Sequence, residues 1–211
     1  MLEPLILLTG PDGAGKTTLA LMLKKYLEKK GYKVKIVRIR GTHTFAYIFM
    51  LTFRDLLGLK GRDLHYYNVR IPSKLTSLWT YIELISIIPL VMWYYYILRL
   101  RYIVISERSI IDALVWLLTG LQETRLLIRS RAIRVYLALI KKLCKHTMYV
   151  TAGLKILESR KPNEAFLIRA MLVYYSVFAK TFRLKITDTT ASSLPVSFKH
   201  IRDLLEKYYE T

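Results

Sequence analysis

The sequence predicts an α/β fold, a five-stranded parallel sheet with helices on both faces. Three observations predict it: short β-type runs alternate with longer helical runs, a glycine-rich turn follows the first short run, and no repeat or linker interrupts the chain. The 211 residues are enough for one well-buried core and few for two ordinary domains. We therefore predict one domain that covers residues 1–211.

The first part of the chain predicts two strand–helix units. Residues 5–9 are apolar and lead into the glycine-rich turn, which indicates a buried strand. Residues 16–30 repeat leucine on one face and Lys and Glu on the other, which indicates a helix. Residues 32–40, rich in Val and Ile, predict the second strand, and residues 44–57 the second helix. A polar loop is predicted over residues 58–72.

The middle of the chain predicts a long helix, a strand and two further helices. Residues 73–100 are apolar and helical in pattern, with Pro89 among them. Residues 102–106 are rich in Val and Ile and predict the third strand. A helix opens over residues 110–118, and residues 124–145 predict a basic helix.

The last part predicts the remaining two strands and three helices. Residues 147–151 and 184–187 are the predicted fourth and fifth strands. Residues 154–159 and 164–183 are predicted helices, separated by a short basic segment, and residues 196–209 predict a last amphipathic helix.

The charge balance is strongly basic. The chain has 34 Lys and Arg against 15 Asp and Glu, a formal net charge of +19. Such an excess attracts polyanions such as nucleic acid, anionic lipid or nucleotide phosphates. A single cysteine, Cys144, excludes an internal disulfide framework and a multi-cysteine zinc site. Because Pro11 and Asp12 interrupt the first apolar run, we expect no signal peptide and a cytoplasmic protein.

Residues 10–17 match the phosphate-loop pattern G-x-x-x-x-G-K-[ST] in full, between a predicted strand and a predicted helix. Its glycines allow backbone N–H groups to surround a phosphate, and the amino terminus of the helix adds positive potential. We expect Lys16 to reach the terminal phosphates of a nucleotide and the Thr17 hydroxyl to bind Mg²⁺. The alternative is a turn that only connects strand to helix, which would need neither side chain.

A second metal ligand is expected at the end of a neighbouring strand. The apolar residues 102–106 are followed by Glu107, which would hold Mg²⁺ together with Thr17. Arg108 comes next and would face a phosphoryl group in transfer. The alternative is a surface ion pair at the strand end.

Two motifs resemble those of the thymidylate kinases, within the wider group of nucleotide and deoxynucleoside kinases. Residues 10–18 resemble that family's glycine loop, with an acid at Asp12, and Glu107-Arg108-Ser109 resembles its Asp-Arg-aromatic motif. The order of predicted elements is similar along nearly the whole chain. The resemblance implies that the following residues bind ATP: Gly10, Pro11, Asp12, Gly13, Ala14, Gly15, Lys16, Thr17 and Thr18.

The resemblance also implies the reaction, which is transfer of the γ-phosphate of ATP to a nucleoside 5′-monophosphate, dTMP above all, with Mg²⁺. Arg40 lies where the family uses an arginine to grip the acceptor phosphate. By the same resemblance, Arg108 would bridge donor and acceptor, and Asp12 would approach the acceptor sugar.

Further site residues are expected around this centre. The family needs a cation against the ATP phosphates, and Arg160 and Lys161, in a short lid around residues 157–165, are the two candidates for it. His43 is a candidate contact of the acceptor phosphate, with a capping or packing role as the alternative. Asp112 lies four residues after Arg108, where it would orient that arginine or read the acceptor. A plain surface pair is the alternative for Asp112.

Departures from the family pattern leave two other functions open. Glu107 replaces the usual Asp and Ser109 the usual aromatic residue, and Glu-Arg-Ser also resembles a motif of the deoxynucleoside kinases. The first alternative is therefore a deoxynucleoside kinase. The second is an ATP-binding protein with weak or no kinase activity that docks on nucleic acid or a membrane through the basic residues 124–145.

The longest apolar segment, residues 78–98, would span roughly 30 Å as a helix, enough to cross a bilayer. A crossing would place the phosphate loop and Glu107 on opposite sides of the membrane, although both are expected to hold one Mg²⁺. We therefore expect a helix buried on several sides, partly in a homodimer contact, because thymidylate kinases pair through helices in this region. Peripheral attachment to a membrane is the alternative.

Overall fold

The computed structural model describes residues 4–39, 45–56, 58, 69, 71–121, 130–190, 196, 198, 199 and 202. Its strands are β1 (Leu5–Thr9), β2 (Val34–Val37), β3 (Ile103–Ser106), β4 (Thr147–Thr151) and β5 (Lys185–Asp188). They form one sheet in the order β2-β3-β1-β4-β5, and every neighbouring pair is parallel. The predicted five-stranded parallel sheet is confirmed.

The helices connect these strands and cover both faces of the sheet. The described α-helices are α1 (Lys16–Lys29), α2 (Phe45–Leu56), α3 (Thr76–Met92), α4 (Ile110–Gly120), α5 (Arg131–Leu143), α6 (Leu154–Arg160) and α7 (Ala165–Thr181). Most of the predicted loop 58–72, residues 122–129 and most of the predicted last helix lie outside the described residues. β2 is shorter than predicted because it pairs with the four-residue β3, from Val34 opposite Ile103 to Val37 opposite Ser106.

The core lies on both sides of β1, which is buried along its whole length. Successive side chains of a strand point to opposite faces. Leu5 and Leu7 therefore join the cluster built with α3, α4 and α5, whereas Ile6 and Leu8 join the cluster built with α1 and α6. The loop that follows β1 is consequently anchored to the most buried strand of the sheet.

The long apolar helix is α3 with short extensions of other helical types. A 3₁₀ turn (Ser73–Leu75) precedes it, and a π-helical turn (Trp93–Ile97) and a 3₁₀ turn (Leu98–Leu100) follow. Within the described part of the chain, Ser73–Leu100 is the one helix that is long and apolar enough to cross a membrane, judged by length and composition alone. In the single chain 39% of its most apolar window is buried, and the further burial expected in a homodimer contact stays a prediction.

Candidate active site

The turn between β1 and α1 has a backbone that requires glycine. Gly10, Gly13 and Gly15 have φ angles of 144°, 86° and 85°, which L side chains rarely adopt. At Gly10 a Cβ atom would also lie 2.0 Å from the Val150 carbonyl oxygen on β4. The glycines therefore fold the loop tightly against the sheet and bring it to the amino terminus of α1, as the phosphate-loop pattern predicts.

Lys16, the first residue of α1, folds its side chain back over this loop. Its ammonium donates hydrogen bonds to the carbonyl oxygens of Gly10 and Pro11 at 2.5 and 2.8 Å. Burial lowers the pKa of Lys16 to about 8, although the carboxylates of Asp112 and Asp12 act in the opposite direction. The ammonium thus lies inside the loop, where the oxygens of a bound phosphate would compete with these carbonyl groups.

The predicted metal ligands lie side by side. The Thr17 hydroxyl donates a hydrogen bond of 2.9 Å to Oε2 of Glu107, which follows β3. A hydroxyl and a carboxylate oxygen fit Mg²⁺, which usually takes one or two protein oxygens and fills its shell with water and substrate phosphates. No group of three His, Cys, Asp or Glu that could hold a metal ion occurs among the residues described.

Arg38 is a site residue that the sequence reasoning missed. It follows β2 directly, forms an ion pair with the Glu107 carboxylate and donates to Thr17 Oγ1 at 3.1 Å. The residue predicted in this segment is Arg40, as a contact of the acceptor phosphate, and that role stays a prediction. The register between β2 and β3 places Arg38 beside Glu107, because Val37 pairs with Ser106 and these are the next residues along the two strands.

Asp12 and Arg108 form a two-pronged ion pair across the cleft. One guanidinium nitrogen of Arg108 donates to both Asp12 carboxylate oxygens, at 2.6 and 2.8 Å. Burial alone would raise the pKa of Asp12, but the charges of Arg108 and Lys16 outweigh it and lower that pKa. Burial likewise acts to lower the pKa of Arg108, and the nearby carboxylates outweigh it and raise that pKa. Both groups are therefore charged at neutral pH.

Asp112 lies beneath the loop and is absent from the lining of the cleft. Its buried carboxylate accepts hydrogen bonds from the Gly10 N–H at 3.3 Å, the Ser109 N–H at 2.6 Å and the Tyr175 hydroxyl at 2.9 Å. Ser109 in turn accepts from the Ile111 N–H and completes a capping box at the start of α4. Asp112 thus ties the loop to α4 and α7, and its predicted role toward Arg108 or the acceptor stays a prediction.

Arg160 is predicted as a lid cation for the ATP phosphates, a role that stays a prediction, and the structure places it in contact with the loop. Arg160 is the last residue of α6, and it donates to the Gly13 carbonyl oxygen at 2.6 Å. Lys161 lines the same cleft. Thr189, which follows β5 and was not predicted, donates to the Ala14 carbonyl oxygen at 3.2 Å and closes the loop from the other side.

Together these groups line a cleft of about 650 Å³. Five of the described lining side chains are cationic and two are carboxylates, which leaves a net charge of +3. The lining residues are Asp12, Gly13, Gly15, Lys16, Thr17, Thr18, Arg38, Glu107, Arg108, Arg160, Lys161, Thr189 and Thr190. Arg40 and His43, the predicted contacts of the acceptor phosphate, lie outside the described residues.

The parallel sheet and the glycine loop together define a phosphate-loop fold of the nucleotide-kinase type. A family profile described as "Chromatin associated protein KTI12" matches residues 3–47. A probable adenylyl-sulfate kinase from Pyrococcus abyssi is 66% identical over 32 residues, and a probable thymidylate kinase from Archaeoglobus fulgidus is 49% identical over 42. These matches cover 15% and 20% of this chain, and the chain spans only 18% and 21% of the length of the two relatives.

Similarity to solved structures extends over the whole chain. Thymidylate kinase from Candida albicans aligns with 99% of this chain and 93% of its own at a TM-score of 0.64 and 15% identity. Deoxyadenosine kinase from M. mycoides aligns at 0.54 and 13% identity, over 96% and 99% of the two chains. The YorR protein of Bacillus subtilis, in complex with phosphorylated GDP, aligns at 0.55 and 17% identity, over 98% of each chain. The predicted resemblance to thymidylate kinases is confirmed as a likeness of fold.

Proposed function

We propose that the protein is an ATP-dependent kinase of nucleoside 5′-monophosphates, with dTMP as the first acceptor to test. The observation that carries the proposal is the net charge of +3 along the cleft, with the Arg108 guanidinium facing the loop across Asp12. A nucleoside monophosphate carries about two negative charges of its own, whereas a nucleoside carries none. A cationic excess beside the phosphate loop therefore favours an acceptor that is already phosphorylated.

Each charged group has a separate task in this proposal. Lys16 and Arg160 bind the terminal phosphates of ATP, where they stabilise the charge that develops on the transferred group. Arg108 orients the acceptor phosphate, and Arg40 grips it from the end of the second predicted strand. Bound at Thr17 and Glu107, Mg²⁺ would neutralise part of the phosphate charge.

The experiment is a substrate screen followed by a charge deletion. ADP release is measured over nucleosides and nucleoside monophosphates, and kcat/KM is then compared for dTMP and thymidine with wild type and Arg40→Ala. Losing Arg40 is expected to cost about 2–4 kcal/mol with dTMP and to leave thymidine phosphorylation unchanged, since thymidine has no phosphate to grip. Activity on thymidine alone, indifferent to Arg40, would contradict the proposal and favour a deoxynucleoside kinase.

The deoxynucleoside kinase is the second candidate, because Glu107-Arg108-Ser109 resembles the motif of that group and a deoxyadenosine kinase shares the fold. A third outcome of the screen is ATP binding with no turnover on any acceptor. That outcome would leave an ATP-binding protein that docks elsewhere through its basic surface.

We further propose that two copies pair through α3 in the cytoplasm. Its exposed apolar residues Leu78, Tyr81, Ile85, Ile88 and Met92 recur every three or four positions, which forms a continuous stripe on one side of a helix. Such a stripe suits packing against a second helix of the same kind. Ile85→Asp is expected to convert a dimer to a monomer in sedimentation velocity, while Val173→Asp on α7 leaves the dimer intact. A monomeric wild type would contradict this assignment.

A further inference from the structure

Arg38 fills the space between the two predicted metal ligands. Its guanidinium pairs with the Glu107 carboxylate and donates to the Thr17 hydroxyl, and these two side chains are also hydrogen-bonded to each other. A cation therefore already bridges the oxygen atoms that a divalent metal ion would use. Neither the phosphate-loop pattern nor the Glu107-Arg108-Ser109 motif requires an arginine at the position of Arg38.

The backbone fixes this arrangement. β2 pairs with β3 in register up to Val37 and Ser106, and the Glu107 N–H donates to the Val37 carbonyl oxygen at 3.0 Å. The residues that follow, Arg38 and Glu107, consequently leave the sheet edge next to each other. Arg38 reaches the ligands without any loop movement, because its position is set by the sheet.

The burial of Glu107 explains why a cation is needed there. Its side chain is only 9% exposed, whereas that of Arg38 is 31% exposed. A buried carboxylate is costly to leave without a positive partner, and the guanidinium is the more exposed member of this pair. The ion pair thus stabilises the carboxylate in the nucleotide-free protein.

We propose that Arg38 is an internal cation that competes with Mg²⁺ for Thr17 and Glu107, so that the metal enters with the nucleotide and not before it. This inference rests on the proposed function only for its assignment of the metal ligands. A guanidinium in contact with the ligands repels a divalent cation from the free protein. Nucleotide phosphates bring negative charge that accommodates the metal and offers Arg38 a new partner.

The test measures metal binding without nucleotide and without turnover. Mn²⁺ is titrated into the free protein, and unbound Mn²⁺ is followed by electron paramagnetic resonance for wild type, Arg38→Met and Lys161→Met. The control removes the same charge from the same cleft, but Lys161 is not bonded to either ligand in the described contacts. We expect Arg38→Met to bind Mn²⁺ about tenfold more tightly than wild type, and Lys161→Met to change the affinity by about twofold at most.

A second variant assigns the gain to the proposed ligands. Adding Glu107→Gln to Arg38→Met is expected to abolish the tighter binding, and Arg38→Lys, which keeps the charge, is expected to bind Mn²⁺ less tightly than Arg38→Met. Unchanged Mn²⁺ affinity in Arg38→Met, or equal gains in Arg38→Met and Lys161→Met, would overturn the inference. Circular dichroism confirms that each variant is folded, and Arg38→Gln, which also removes the charge, carries the test if Arg38→Met does not fold.

The result is separable from the kinase assay. If no acceptor is phosphorylated but Arg38→Met still gains Mn²⁺ affinity through Glu107, the proposed reaction fails and the inference stands. If dTMP is phosphorylated and Arg38→Met leaves Mn²⁺ binding unchanged, the inference fails and the proposed reaction stands.

Discussion

Replacing Asp112 is expected to destabilise the protein more than replacing an exposed acidic residue does. The carboxylate is 1% exposed and accepts three hydrogen bonds, from the Gly10 N–H, the Ser109 N–H and the Tyr175 hydroxyl. In Asp112→Ala all three donors stay buried, and an unsatisfied donor costs about 1–3 kcal/mol. Because these costs are not additive, we expect a loss of about 3–5 kcal/mol in the free energy of unfolding. That is a large share of the about 5–15 kcal/mol typical of a folded domain.

The assay is equilibrium unfolding in urea, followed by tryptophan fluorescence, with Asp55→Ala as the control. Asp55 is an exposed acid of α2 and pairs with its neighbour Arg54, so its removal is expected to leave the midpoint unchanged. ATP affinity is measured on the same proteins, and Asp112→Asn is expected to weaken it because the Gly10 N–H loses its charged acceptor. A loss below about 1 kcal/mol in Asp112→Ala would refute the structural role. A variant of normal stability whose KM rises for the acceptor alone would assign Asp112 to the substrate.

Three further predictions concern the cations of the cleft. Lys16→Ala is expected to cut turnover by orders of magnitude. Its urea midpoint is expected to stay close to that of wild type, since the side chain lies in the loop and not in the core. Wild-type turnover in an ADP-release assay would contradict this prediction. Arg160→Ala is expected to lower kcat more than it raises KM. The loss of kcat is expected to be larger than in Lys161→Ala, because Arg160 contacts the loop at Gly13. Equal small effects of both variants in steady-state kinetics would point to another cation. Burial lowers the pKa of Lys16 to about 8, so above that pH the free protein holds a neutral amine that must gain a proton to bind ATP. ATP affinity measured by calorimetry is therefore expected to be constant below pH 7 and to fall by up to about tenfold per pH unit above pH 8, and a flat profile would exclude this linkage.

Much of the fold is predictable because its signals are local. The strands at Leu5–Thr9 and Thr147–Thr151 have the predicted bounds, since short apolar runs between polar segments indicate buried parallel strands. Strand order is a different matter. It depends on which helix packs on which face, and nothing in the sequence states that β1 lies between β3 and β4.

The same distinction applies to the site. Lys16, Thr17 and Glu107 are predictable because each belongs to a short motif that ends a strand or begins a helix. The role of Arg38 depends on the register between β2 and β3, which no short motif shows. Arg40 is predicted from the family resemblance, for a different role, and that role stays a prediction. The contact between Tyr175 and Asp112 joins residues 63 positions apart, and no local sequence pattern predicts it.

The two departures from the thymidylate kinase motif have local explanations. Ser109 caps α4 through its hydroxyl, which an aromatic side chain does not do, and Glu107 reaches Thr17 at 2.9 Å while it also pairs with Arg38. Because Ser109 and Glu107 also have these local roles, the resemblance of Glu-Arg-Ser to the deoxynucleoside kinase motif is weaker evidence about the acceptor than the charge of the cleft. The net charge of the cleft lining bears directly on whether the acceptor already carries a phosphate. Mg²⁺-bound ATP brings about two negative charges, which leaves part of the +3 lining unmatched until an acceptor phosphate arrives. Comparing kcat/KM for dTMP with that for thymidine therefore tests whether this unmatched charge favours a phosphorylated acceptor.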